Sequence, residues 1–179
     1  MIVPHPCIAT VEEFYAHALA IEREAVDRYA EFEAYFAGRG EDVLSGLCHS
    51  LASAEQQHFE ELSRACEHLT LPAIAAADHR WLGADAPETA ARELLYRVAA
   101  PCQLLEIALA AEIRAGAFFV WAAGTAASLE VRSLAKLMAA EEAEHVEWVK
   151  QAIEYHAPDR LEVSRAPCST GNTAPSSAS

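Results

Sequence analysis

A chain of 179 residues, 53% of them apolar, is long enough for one domain with a sizeable core, and disorder is excluded as its default state. Its formal net charge of −14 would repel a phosphate backbone, which excludes nucleic acid as the main partner. With only 7 Gly and 8 Pro against abundant alanine and glutamate, long helices are favoured over sheets and an all-α fold is expected.

The N-terminus, MIVPHPCIATVEEF, lacks a basic start followed by an apolar run, so no secretory signal is expected. Thr10-Val11-Glu12-Glu13 is a capping box, with Thr10 as N-cap and Glu13 reaching back. Apolar or small residues recur at helical spacing through Phe14, Tyr15, Ala18, Leu19, Val26, Tyr29, Phe32 and Phe36, and Gly38 and Gly40 end this first helix. A second helix is predicted from about Asp42 to Leu69, on the stripe Leu44, Leu47, Leu51, Phe59, Leu62, Cys66 and Leu69. The turn between them is short, which makes the two helices antiparallel neighbours.

From about 70 to 100 the pattern weakens at Pro72, HRWLGADAP and Pro87, although Glu88 to Val98 predicts a short helix. This stretch reads as a connector running along the bundle, pinned by Trp81. Pro101 suits the first turn of a third helix continuing to about Ala123, with Gly124 and Thr125 in the next turn. Its apolar stretch, Ala115 to Leu129, falls short of the ~20 residues a membrane-spanning helix needs, so no membrane association is expected. The fourth helix covers about Ser128 to Tyr155. Residues 1–157 are thus expected to form one four-helix bundle, and 158–179 a flexible tail rich in Ser, Thr and Pro.

The second half of the chain repeats the first. ALAIEREAVDRY (Ala18 to Tyr29) aligns with ALAAEIRAGAFF (Ala108 to Phe119) at an offset of 108 − 18 = 90, which pairs Glu22 with Glu112 and the helix start Val11 with Pro101. ASAEQQHFEEL holds Glu55 and His58, and AAEEAEHVEWV holds Glu142 and His145. The chain reads as one helix hairpin used twice.

Residues three apart share a helix face, so each Glu-x-x-His can aim a carboxylate and an imidazole at one point. Both pairs continue apolar stripes: Leu51, Glu55, His58, Leu62 and Met138, Glu142, His145, Val149. Glu22 and Glu112 lie in the apolar phase of their own helices. One Glu-x-x-His is expected about once by chance in so glutamate-rich a chain. The weight comes from the inward phase, the alternate helices and the partner glutamates. Four ionised carboxylates in a core lose hydration and repel one another. Two divalent cations cancel that charge, since 4 × (−1) + 2 × (+2) = 0. Oxygen-rich donors with imidazole and no thiolate suit iron or manganese.

The sequence resembles the rubrerythrin-like branch of the ferritin-like superfamily over about residues 10–157, through EREAVDRY, EQQH, the glutamate of AAEIRAGAFF, and EAEH. The resemblance implies a ferritin-like four-helix bundle of two hairpins joined by a long connector. It implies a pair of iron ions, or of manganese, held by Glu22, Glu55, His58, Glu112, Glu142 and His145, with Tyr29 beside the metals in a supporting role. Such proteins react with peroxide or dioxygen, or oxidise ferrous iron. The chain departs from rubrerythrins proper at two points. It has no four-cysteine rubredoxin-type iron site, and Ala115 stands where they carry a further glutamate.

The expected function is therefore a non-haem di-iron oxidoreductase, supplied with electrons by a separate donor protein. The competing readings are a ferroxidase or iron-storage protein, a hydroxylase of an organic substrate, and a metal-free helical interaction module. A homodimer is expected, for which the apolar face from Phe118 to Trp121 could serve. The five cysteines (Cys7, Cys48, Cys66, Cys102 and Cys168) are odd in number and form no C-x-x-C, which suits reduced thiols in a cytoplasm. Trp121 and Trp148 read as core. Glu24, Glu31, Glu60, Glu61, Glu141, Glu144 and Glu147, with His17, His49 and His68, read as surface. His5, His79 and His156 have no partner legible in the sequence.

Overall fold

The computed structural model describes residues 8–74, 98 and 100–156. They form four α-helices and no strand: α1 (Val11–Ala37), α2 (Asp42–Ala65), α3 (Pro101–Thr125) and α4 (Leu129–His156). Helix α1 packs along α2 and α3 along α4. The two hairpins meet through α1 against α4 and α2 against α3. The expected four-helix bundle of two hairpins is what the described residues build. Trp81, His5, His79, Cys7, Cys168, most of the connector and the tail lie outside them. No helix among the described residues is long and apolar enough to cross a membrane.

Local chemistry sets the helix ends. The Thr10 hydroxyl accepts from the Glu13 backbone N–H at 3.1 Å, as the capping box requires. The Glu13 carboxylate, however, accepts from the backbone N–H of Ala9 at 2.9 Å and not from that of Thr10. At the other end Gly40 adopts φ +73°, a left-handed conformation that glycine takes at little cost. Helix α2 stops at Ala65, a turn short of the expected Leu69, because Cys66 (φ −111°, ψ 12°) leaves helical geometry. Helix α3 runs through Gly124 to Thr125, two residues past the expected end, and Ala126 turns the chain with an extended backbone. Ser128 Oγ then accepts from the Val131 N–H at 3.4 Å and opens α4.

The core divides into two apolar clusters along the bundle. One gathers Phe14, Ala18, Ile21, Leu62, Phe118, Phe119, Val131 and Met138. The other gathers Tyr29, Phe32, Phe36, Leu51, Leu104, Leu105, Ala108 and Val149. On every helix the glutamate of interest falls between them: Glu22 between Ile21 and Tyr29, Glu55 between Leu51 and Leu62, Glu112 between Ala108 and Phe118, and Glu142 between Met138 and Val149. The inward stripe of each helix therefore carries one carboxylate, sealed above and below by side chains that exclude water.

The bundle corrects several outward and inward assignments. Trp148 is 47% exposed and not core, because the inward position at that turn belongs to Val149, seven residues on from Glu142. Phe118 and Phe119 lie in the core, so the expected dimer face retains only Val120 as a strongly exposed apolar side chain. Trp121 packs against the core as expected. His17 is half-buried, its ring 5.7 Å from that of Phe118, and is not a free surface residue. Glu24 is also half-buried and ion-paired with Arg28. Glu31, Glu60, Glu61, Glu141, Glu144 and Glu147 are exposed, as are His49 and His68, in keeping with their surface assignment.

Candidate metal centre

The four glutamates on the repeated register all turn inward. Glu22 is 1% exposed and Glu55, Glu112 and Glu142 are 4–5% exposed, the only buried charged side chains among the described residues. His58 and His145 are half-buried, one turn on from Glu55 and Glu142. All six residues singled out by spacing thus sit in or beside one layer of the bundle.

Their mutual geometry is tight. His145 Nδ1 lies 3.5 Å from Glu112 Oε2 and 3.9 Å from Glu142 Oε2, which joins α3 to α4. The rings of His58 and His145 meet in a tilted contact with centroids 4.5 Å apart, which joins α2 to α4. The carboxyl groups of Glu22 and Glu55 lie within hydrogen-bonding reach of one another, as do those of Glu112 and Glu142. The Tyr29 hydroxyl donates to Glu112 Oε1 at 3.5 Å, so Tyr29 stands beside the cluster. One donor atom each from Glu55, Glu112 and His145 lies within 4.8 Å of the others. This three-helix triad could hold a metal ion.

Burial dominates the electrostatics. It pushes the Glu22 carboxyl up to about 8, with Glu142 the next cause. Glu55 and Glu142 rise to about 9, each from burial first and then from the charge of Glu112. His58 is lowered by burial and by the neighbouring His145, whereas His145 is raised by its hydrogen bond with Glu112. Burial and then the Glu112 charge hold the Tyr29 phenol well above its ordinary range. Left to themselves, three of these carboxyls stay protonated at neutral pH.

The cluster fits a cation. Glu22 Oε1 and Glu142 Oε2 are buried with no hydrogen-bond partner, Glu142 Oε2 facing only His145 Nδ1 at 3.9 Å, a costly arrangement that a bound cation would relieve. The inner donors are carboxylate and imidazole. The buried thiols Cys48, Cys66 and Cys102 are absent from the cavity lining, so the donor set is that of a hard or borderline divalent metal.

A cavity of about 30 Å³ opens beside the cluster, between α1 and α3. Its inner wall is Glu22, Glu55, Glu112 and Glu142, and its flanks are Ile21, Ala25, Ala111 and Ala115. Glu24, Arg28 and Arg114 complete the lining. Sequence reading put Glu24 on the surface and gave Arg28 and Arg114 no role. One signal was available: at the repeat offset Glu24 aligns with Arg114 (114 − 24 = 90), two residues past each paired glutamate. Burial and then nearby Arg28 lower the Arg114 guanidinium from its ordinary value. Gly116 was also missed. A Cβ there would stand 3.3 Å from Glu142 Cβ, so this glycine lets α3 and α4 approach at the level of the cluster.

Neither the family models nor the curated proteins contain a match to this chain. Among solved structures the chain is similar to an uncharacterized conserved protein from Magnetospirillum magnetotacticum MS-1. The two are 31% identical and superpose with a TM-score of 0.66, over 82% of this chain and 95% of that one.

Proposed function

The chain belongs to the same family as that conserved Magnetospirillum protein, and on this footing we propose that it is a rubrerythrin-like, ferritin-fold di-iron oxidoreductase, with manganese as the alternative metal. Glu22, Glu55, His58, Glu112, Glu142 and His145 are its ligands. The observation that carries this reading is the layer of four buried glutamates with two orphaned oxygens between two apolar clusters. Two divalent ions would neutralise that layer and displace its protons.

When bound, a pair of redox-active ions supplies the electrons that reduce peroxide or dioxygen. The protein's own groups do the rest. Glu22 and Glu142 offer the orphaned oxygens, Tyr29 steadies Glu112 through its hydroxyl, and the two histidines supply nitrogen donors on the α2–α4 side. The cavity suits an oxidant of a few atoms, since about 10–15 Å³ holds one water-sized molecule. The electron source we propose is a separate donor protein. Reduced thiols suit a cytoplasmic setting, and a homodimer is the assembly we propose.

A second reading, oxidation of ferrous iron as cargo, draws support from the net charge of −14, which attracts cations. A many-subunit shell on a sizing column would favour it over the oxidoreductase.

The primary test is metal content per chain, by mass spectrometry, on protein made with both iron and manganese supplied. About two metals per chain are expected. A value near zero, even after anaerobic reconstitution with ferrous iron, overturns the reading in favour of a metal-free helical module.

A further inference from the structure

Three charged side chains that no metal-binding role requires line the cavity between α1 and α3. Arg28 is 13% exposed and pairs with Glu24, and Arg114 approaches both from α3. Peroxide and dioxygen are uncharged at neutral pH and need no guanidinium. Two guanidiniums and one carboxylate leave a net charge of 2 × (+1) − 1 = +1 at the mouth of a chamber whose inner wall is acidic. A guanidinium presents five N–H donors, of which Glu24 can engage at most two on Arg28. Between this mouth and the glutamates the flanks are small and apolar: Ile21, Ala25, Ala111 and Ala115.

We propose that this mouth is a recognition site for a small organic monocarboxylate, held by Arg28 and Arg114 with its short apolar end directed between the alanines toward the metal cluster. A monoanion balances the local charge, and its planar carboxylate matches the guanidinium fork. A phosphate dianion exceeds that charge, and its tetrahedral shape matches a single guanidinium fork less well than a planar carboxylate does. A long or branched acid exceeds the space. The inference deepens the oxidoreductase reading, on which it rests for the role of the bound acid as substrate.

The test is calorimetric titration of the metal-loaded protein with butyrate, n-butanol and inorganic phosphate, with metal content measured on the same samples. Butyrate should bind saturably, and butanol and phosphate at least about tenfold more weakly. Arg114→Gln, at an exposed position, should weaken butyrate about tenfold, and Glu24→Gln, which removes the competing carboxylate, should tighten it. Equal affinity for butanol, equal or tighter binding of phosphate, or an undiminished Arg114→Gln variant would overturn the proposal. Arg114-dependent butyrate binding by protein that takes up no metal would leave this site standing and sink the metal-centre reading. Two metals per chain with butyrate indifferent to Arg114 would do the reverse.

Discussion

The imidazoles of His58 on α2 and His145 on α4 meet 4.5 Å apart, centroid to centroid, with their planes tilted by 39°, at the edge of a layer of buried carboxylates. Neither ring is deeply buried, and the two respond to their surroundings in opposite senses. His58 is lowered toward the neutral imidazole, whereas His145 is raised through Glu112. An imidazole binds a metal only in its neutral form, which the surroundings of His58 favour, whereas His145 must give up any proton it holds.

Substitution of the inner carboxylates tests the ligand assignment directly. Glu112→Ala and Glu142→Ala are each expected to abolish tight binding of at least one metal, whereas Glu144→Ala, at an exposed position on α4, should leave metal content unchanged. Full metal content in both inner variants would end the assignment. Glu112→Ala also strands the Tyr29 hydroxyl and His145, so metal content and not the stability of the metal-free fold is the readout.

Stability of the metal-free protein should fall as pH rises. Glu22, Glu55 and Glu142 titrate at about 8, 9 and 9 when folded, against 4.5 for an ordinary glutamate. Between those values the folded chain holds protons that the unfolded chain has released. The associated stability is complete below the unfolded value and is lost as pH passes through the folded ones. Melting temperature measured from about pH 5 to about pH 9 should decline, and Glu55→Gln should flatten the slope. A flat or rising profile in the metal-free wild type would contradict the buried-carboxyl picture.

Two glycines should respond oppositely to alanine. Gly46, within α2, has nothing within 4 Å of an added Cβ, so Gly46→Ala should stabilise the protein by about 0.5–1 kcal/mol through helix propensity alone. At Gly116 the added methyl meets Glu142 Cβ at 3.3 Å, where α4 must yield by a few tenths of an ångström. Gly116→Ala should therefore gain less stability and weaken metal binding. Chemical denaturation and metal titration of the two variants separate the effects, and identical behaviour at both sites would remove Gly116 from the architecture of the centre.

Tyr29 makes one long contact with the cluster, 3.5 Å from its hydroxyl to Glu112 Oε1, while its ring is core. Tyr29→Phe should cost no more than about 1 kcal/mol and keep the metals, because the ring packing survives. Tyr29→Ala should cost about 3–5 kcal/mol by leaving a cavity among Phe32, Leu104 and Leu105. Loss of metal in the phenylalanine variant would promote the hydroxyl from support to necessity.

Local spacing carried much of this molecule. The Thr10 cap, the Gly38–Gly40 turn, Pro101 at a helix start and the helical period of the apolar residues all act within a few residues, and the helices begin and end within a turn of where those signals stand. The inward aim of Glu22, Glu55, Glu112 and Glu142 was legible for the same reason, since a residue's phase on its own helix fixes which face it shares. What crosses from helix to helix was not legible. Which donors converge, namely Glu55, Glu112 and His145 from three helices, depends on how the hairpins meet. So do the outward turn of Trp148 and the meeting of Arg28, Glu24 and Arg114 at one cavity mouth. Sequence periodicity assigns each side chain a direction. Only the packed bundle assigns it a neighbour, because distances between elements are set by the fit of every side chain between them at once.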